Sequence, residues 1–164
     1  MTTTFRSLVL TLALCLPIAA AAQDFINFNG LPVTGAPRPI PGGYAGMNWN
    51  GLYYITNRFS TDLQNVAFPA LGTGAPSMVA VDAQHPYELL SISATGDYNS
   101  TLTLYAFNRG AFIGSHTYSL APVLTPLQVP QEWGATTQVT FLCLDGQQRP
   151  AIFNLYSLTF WTRQ

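Results

Sequence analysis

Beyond residue 22, no stretch longer than a turn carries the periodicity of an amphipathic helix. Short runs rich in Val, Ile, Thr, Phe and Tyr recur instead, separated by clusters of Gly, Pro and Asn. Successive strand side chains point to opposite faces, so runs of this length bury one face each, and the expected fold is an all-β sandwich or barrel. Strands are expected near residues 25–28, 52–56, 78–81, 87–94, 101–107, 112–118, 138–144 and 151–160. Two hairpins stand out. One turns at Asn108-Arg109-Gly110, where Gly110 can take the positive φ of a tight turn; the other is a looser connection over residues 145–150. Residues 31–43, with four prolines and three glycines, read as a connection pinned across the surface.

The N-terminus has a different grammar. Arg6 is followed by an apolar run from Leu8 to Ile18 and then by the small residues Ala19 to Ala22, the order of a secretory signal peptide. The expected cut follows Ala22, leaving Gln23 first and a single domain over residues 23–164. A membrane anchor would need about 20 continuous apolar residues. The leader run is shorter, so an exported, extracellular protein without a membrane span is expected. Cys15 falls within the leader, so the apolar core rather than an intrachain disulfide must hold the domain. In the run Val139 to Leu144, Val139, Phe141 and Cys143 share one face, which places Cys143 in the core.

Charge excludes one class of partner. The chain has six basic residues, all Arg, against seven acids, and Arg6 belongs to the leader. Binding a phosphate backbone requires clustered positive charge, so no nucleic-acid partner is expected. Charged residues are only 8% of the chain, and polarity comes from Asn, Gln, Ser, Thr, Gly and Tyr.

Catalytic and metal motifs are not evident. His85 and His116 have no metal-ligand spacing, and there is no cysteine pair for zinc, so neither metal nor cofactor is expected. Ser115 and His116 are neighbours in a strand, hence on opposite faces, and cannot share a proton. Asp82, Glu88, Asp97, Glu132 and Asp145 each stand alone in their segment, whereas glycoside hydrolysis needs two carboxyl groups across a cleft. The aromatics Tyr44, Trp49, Tyr53, Tyr54, Tyr98, Trp133 and Trp161 suit stacking on sugar rings. Trp133 with Glu132 is the expected exposed contact, and Tyr53, Tyr54 and Tyr98 are further ligand-binding candidates. Asn99-Ser100-Thr101 is a glycosylation sequon with Asn99 as acceptor.

The segment Ile40-Pro-Gly-Gly-Tyr-Ala-Gly-Met-Asn-Trp-Asn50 resembles the Ile-Pro-x-Gly-Tyr-x-Gly-Leu-x-Trp box of small secreted jelly-roll proteins of fungi and bacteria. The likeness continues through Ile26-Asn27-Phe28, Asn65-Val66-Ala67-Phe68, the Asn108 to Gly110 tip and the closing strand Phe153 to Phe160. It implies a two-sheet antiparallel jelly roll similar to carbohydrate-binding modules. Gly42, Gly43, Tyr44, Gly46 and Trp49 then form a structural box, with Tyr44 and Trp49 placed over an open end of the sandwich. Relatives carry paired acids where this chain has Asn29-Gly30 and Tyr156-Ser157, so no structural calcium is expected there.

The expected function is a non-catalytic binding module for cell-wall or surface glycans, acting as a monomer. The alternative is a secreted effector or elicitor that contacts a host surface protein. A glycan-acting hydrolase ranks third.

Overall fold

The computed structural model describes residues 22–57, 64–70, 74–96 and 99–162; the expected leader lies outside them, apart from Ala22. The strands are β1 (Ala22–Ile26), β2 (Arg38–Pro39), β3 (Met47–Asn50), β4 (Leu52–Asn57), β5 (Gln64–Pro69) and β6 (Ser77–Ala80), followed by β7 (Tyr87–Gly96), β8 (Ser100–Asn108), β9 (Ala111–Leu120), β10 (Thr125–Gln128), β11 (Gln138–Asp145) and β12 (Phe153–Thr162). They form two antiparallel sheets. The seven-stranded sheet runs β10-β7-β12-β5-β4-β2, with β1 also paired to β12, and the five-stranded sheet runs β3-β6-β11-β8-β9.

Within these sheets β1-β12-β7-β10 and β6-β11-β8-β9 make two four-stranded layers joined by a chain that crosses repeatedly between them. That is the jelly-roll connection. Strands β2, β4 and β5 widen one layer, and β3 widens the other. The edge of β12 away from β7 is shared: Leu155 pairs with Ala67 of β5, while Leu158 to Thr162 pair with β1.

Alternation sets what each sheet buries. Leu102, Leu104 and Ala106 of β8 face inward with Val139, Phe141 and Cys143 of β11, and Ile92, Leu155, Leu158 and Phe160 meet them from the other sheet. Across this core, the buried Tyr87 hydroxyl donates to the Met78 carbonyl at 3.2 Å and ties the two sheets together. The β8–β9 turn is the two-residue type expected from Asn108-Arg109-Gly110, with positive φ at Arg109 (49°) and Gly110 (82°).

Several boundaries differ from expectation. The first strand ends at Ile26 because Phe28 adopts φ 56° and plunges fully buried into the core. Arg38 and Pro39 within the expected connection form an edge strand, where a proline lacking an N–H is tolerated. Strands β3, β5 and β10 were not expected: each is short, and two contain proline, so their pairing comes from neighbours rather than from a local pattern. Trp49 accordingly lies on β3 and not in a loop. Its indole packs edge-on to Phe28 at 5.4 Å and donates to the Tyr44 carbonyl at 2.9 Å.

Asn65 of β5 is a buried clasp. Its Nδ2 donates to the Phe28 carbonyl at 3.1 Å and the Leu31 carbonyl at 2.8 Å, its Oδ1 accepts from Thr56 Oγ1 at 2.6 Å, and its backbone N–H donates to Asn29 Oδ1 at 3.1 Å. Asn29, at the place where the resemblance puts an acid, is thus engaged within the chain. A buried polar group left without its partner costs about 1–3 kcal/mol. Asn65→Ala is therefore expected to destabilise the protein by about 3 kcal/mol in urea unfolding; a loss below about 1 kcal/mol would show that water replaces the clasp.

Candidate functional site

The expected ligand-binding residues do not converge. Trp133 ends a 3-10 turn (Gln131–Trp133) and is only 7% exposed, which corrects its assignment as an exposed contact. The cause lies in β9: a Cβ built on Gly114 would stand 2.8 Å from Trp133 Nε1, so the glycine makes the space the indole fills. Glu132 is exposed beside it. Tyr54 is also corrected. It pairs with Ala67 on the inward side of β4 and is buried at 3%, while Tyr53, between Pro39 and Phe68, turns half-buried toward the outside of the seven-stranded sheet. Tyr98 lies outside the described residues, and Asn99 is exposed just before β8. Trp161 is 37% exposed on the outer side of β12, with Phe160 taking the core position.

Two of the described acids, Asp82 and Asp145, serve local turns, while Asp24 accepts from Thr162 Oγ1 across the β1–β12 pair at 2.8 Å. Asp82 Oδ2 meets His85 Nδ1 at 2.7 Å, and its Oδ1 accepts from the Gln84 backbone N–H at 2.8 Å. Asp145 accepts from the Gln147 and Arg149 backbone N–H groups and from Arg149 Nε. The Arg149 backbone N–H and then its guanidinium hold the Asp145 carboxyl below the usual carboxylate range.

A face that sequence reasoning passed over is more coherent. The outward side of the five-stranded sheet is laid out in cross-strand rows. Asn50, Ser77, Thr140, Tyr105 and Ser115 form one row across all five strands, in which Ser77 is buried and accepts from Asn50 Nδ2 at 3.4 Å. Next to it run Asn48, Val79, Gln138, Phe107 and Phe112 on one side, and Leu142, Thr103 and Thr117 on the other. The hydroxyls and amides are pre-ordered: Thr103 Oγ1 and Thr117 Oγ1 are 2.8 Å apart, and Gln138 Nε2 donates to Thr140 Oγ1 at 3.2 Å. Phe107 and Phe112 meet edge-to-face at 5.7 Å and continue the aromatic surface from Tyr105.

No charged side chain stands in these rows. Arg109, at the hairpin tip, donates to Gln84 Oε1 and the Ala83 carbonyl; Asp145, at the opposite end, is held by Arg149. The signal for this face was the alternation Thr101, Thr103, Tyr105, Phe107, whose polar set points away from the core. A separate cavity of about 340 Å³ is bordered by Pro69, Pro76, Phe141, Cys143 and Phe153. Its described lining is apolar apart from the Cys143 thiol, so it has little with which to orient a polar ligand.

No protein-family model matches the chain, and no curated protein matches it. Among solved structures, an arabinose-bound α-L-arabinofuranosidase of glycoside hydrolase family 51 is similar with a TM-score of 0.49 and 14% identity. The match covers 77% of this chain and 24% of that one, so the chain spans about a quarter of the enzyme's length.

Two outcomes follow from this geometry. Trp133→Ala is expected to cost about 3–5 kcal/mol, as for other buried Trp truncations, with a lowered melting temperature even without any ligand; an unchanged melting temperature would return Trp133 to the surface. Asp145, with its folded pKa depressed, contributes stability above the unfolded carboxyl pKa of about 3.9 that is lost as pH falls through the folded value. Asp145→Asn should therefore flatten the acid limb of a stability profile below the unfolded carboxyl pKa, and an unaltered limb would contradict the assignment.

Proposed function

We propose that this protein is an exported, non-catalytic module that binds an uncharged glycan on the outer face of its five-stranded sheet. The observation that carries this reading is the row through Tyr105: hydroxyl and amide side chains across five strands, flanked by aromatic rings, with no charge in it. A pyranose presents an apolar C–H side that stacks on aromatic faces and hydroxyls that exchange hydrogen bonds with amides and alcohols. Adjacent strands lie about 4.8 Å apart, so the row spans about 19 Å from β3 to β9. That length suits a short stretch of an extended polysaccharide better than a single sugar.

Export rests on the leader-like order of Arg6, the apolar run to Ile18 and Ala19 to Ala22. The non-catalytic reading rests on the acids: Asp82 and Asp145 are tied into their own turns, which leaves neither in the arrangement a hydrolase acid pair requires.

Pull-down on insoluble cell-wall polysaccharides tests the proposal. Tyr105→Ala is expected to weaken binding at least about tenfold while leaving the melting temperature within a few degrees, since the ring lies outside the core. Retention should also be nearly the same at low and high salt, because no ion pair is involved. Undiminished binding by Tyr105→Ala, or binding abolished by salt, would defeat the reading. A host protein captured through this face with no polysaccharide retained would favour the interaction-protein alternative.

A further inference from the structure

We infer that Asn50 is a site of self-modification, at which the Gly51 backbone nitrogen displaces the Asn50 side-chain amide and the residue ends as aspartate or isoaspartate, with one new negative charge. Only the consequence for binding, given last, rests on the glycan reading.

An asparagine carboxamide is open to attack by the backbone nitrogen of the next residue when that residue has no Cβ in the way, which makes Asn-Gly the reactive step. The bond formed joins Gly51 N to Asn50 Cγ, and the bond broken is Asn50 Cγ to Nδ2. The proton of the Gly51 N–H leaves with that amide as ammonia. Water then opens the cyclic imide at one carbonyl to give aspartate, or at the other to give isoaspartate, whose main chain runs through the former side chain.

The chain has two Asn-Gly steps, Asn29-Gly30 and Asn50-Gly51, and the fold closes the first. Asn29 Oδ1 accepts from the Asn65 backbone N–H at 3.1 Å, and the Tyr44 hydroxyl interacts with the Gly30 backbone N–H. Carboxamide and attacking nitrogen are therefore both engaged, in the segment that the Asn65 clasp fixes. The related Asp145-Gly146 step is closed as well, because the Asp145 carboxylate accepts from Gln147 and Arg149.

At Asn50 the opposite holds. Its side chain is exposed, and among the described residues its amide makes one hydrogen bond, the long one of 3.4 Å to Ser77 Oγ. The Gly51 carbonyl accepts from the Ala70 N–H at 2.8 Å, but the Gly51 N–H has no hydrogen-bond partner among the described residues. The extended backbone of β3 holds that nitrogen away from Asn50 Cγ, so the reaction waits on opening of the strand end. β3 has four residues, pairs with β6 alone, and ends at Asn50 before Gly51 at φ 68°. Short edge segments of this kind open at far less cost than the core.

Asn50 also heads the row that continues through Ser77, Thr140, Tyr105 and Ser115. Modification replaces an amide donor there with a carboxylate, so a row without charge gains one.

The test holds the full chain in mildly alkaline buffer for days to weeks, folded and in denaturant. Peptide mapping follows the gain of about 1 Da that exchange of NH for O produces, with methyltransferase labelling for isoaspartate. In the folded protein Asn50 is expected to react at least about tenfold faster than Asn29, because local opening frees the one step and the clasp holds the other. In denaturant the two should react at similar rates. Asn50→Gln, with one more methylene, should remove the fast reaction and leave the melting temperature unchanged. Asn29 reacting as fast as Asn50 in the folded protein, or Asn50 unchanged over a period in which the denatured chain has reacted, would overturn the inference. For the consequence, Asn50→Asp should bind insoluble polysaccharide about threefold more weakly, the loss of one ordinary hydrogen bond; equal binding would overturn it. A wild type that retains no polysaccharide would sink the glycan reading, while the peptide map still decides the site at Asn50.

Discussion

The register of β8 against β11 is the constraint on which core and candidate site both depend. Eight consecutive pairs, from Gln138 opposite Phe107 to Asp145 opposite Ser100, run without a shift. A slip of one residue would exchange the two faces, moving Leu102, Leu104 and Phe141 into water and Thr103, Tyr105 and Thr140 into the core. The apolar set cannot tolerate that exchange, so burial of the core fixes the position of the polar rows on the other side. The turn at Arg109 and Gly110 passes the same register on to β9.

A chain with so few charges and no disulfide among its described residues has limited means of fixing the longer connections between strands. It uses buried amides and aromatic rings. Asn65 gathers the carbonyls of Phe28 and Leu31 and the Thr56 hydroxyl, which fixes the segment leaving β1. Phe28, turned inward by its positive φ, then packs against Trp49 and Tyr44. A single backbone departure at Phe28 thus links the start of the jelly roll to the glycine-rich box. The half-buried Tyr118 does comparable work at the far edge, where partial burial raises its pKa to about 12 and its hydroxyl donates a hydrogen bond to the Gln128 carbonyl.

Much of the fold was legible in the sequence because alternation is local information. β7, β8, β9, β11 and β12 are long enough for a period of two to declare itself, and the Asn108-Arg109-Gly110 turn carried its own chemistry. β3, β5 and β10 were illegible for the converse reason, since strands of four to six residues, two of them with proline, are defined by what they pair with. The expected binding residues failed on a similar point. Exposure of Trp133 could not be read from its sequence neighbours Glu132 and Gly134, because the room for its indole is supplied by Gly114, a residue on β9.

By itself the sequence determined the all-β class, the inward placement of Val139, Phe141 and Cys143, and the near-absence of charge that any binding surface on this protein must share. The tertiary structure alone decided which polar residues share a face, which aromatics are buried and which strand is left at an open edge. Those properties depend on pairing between residues far apart in the chain: Asn50 and Ser115 belong to one row only because three intervening strands place them there. Period-two alternation fixes which side of its own strand a residue occupies, but the neighbour it meets there is set by register and sheet order, which no local pattern encodes.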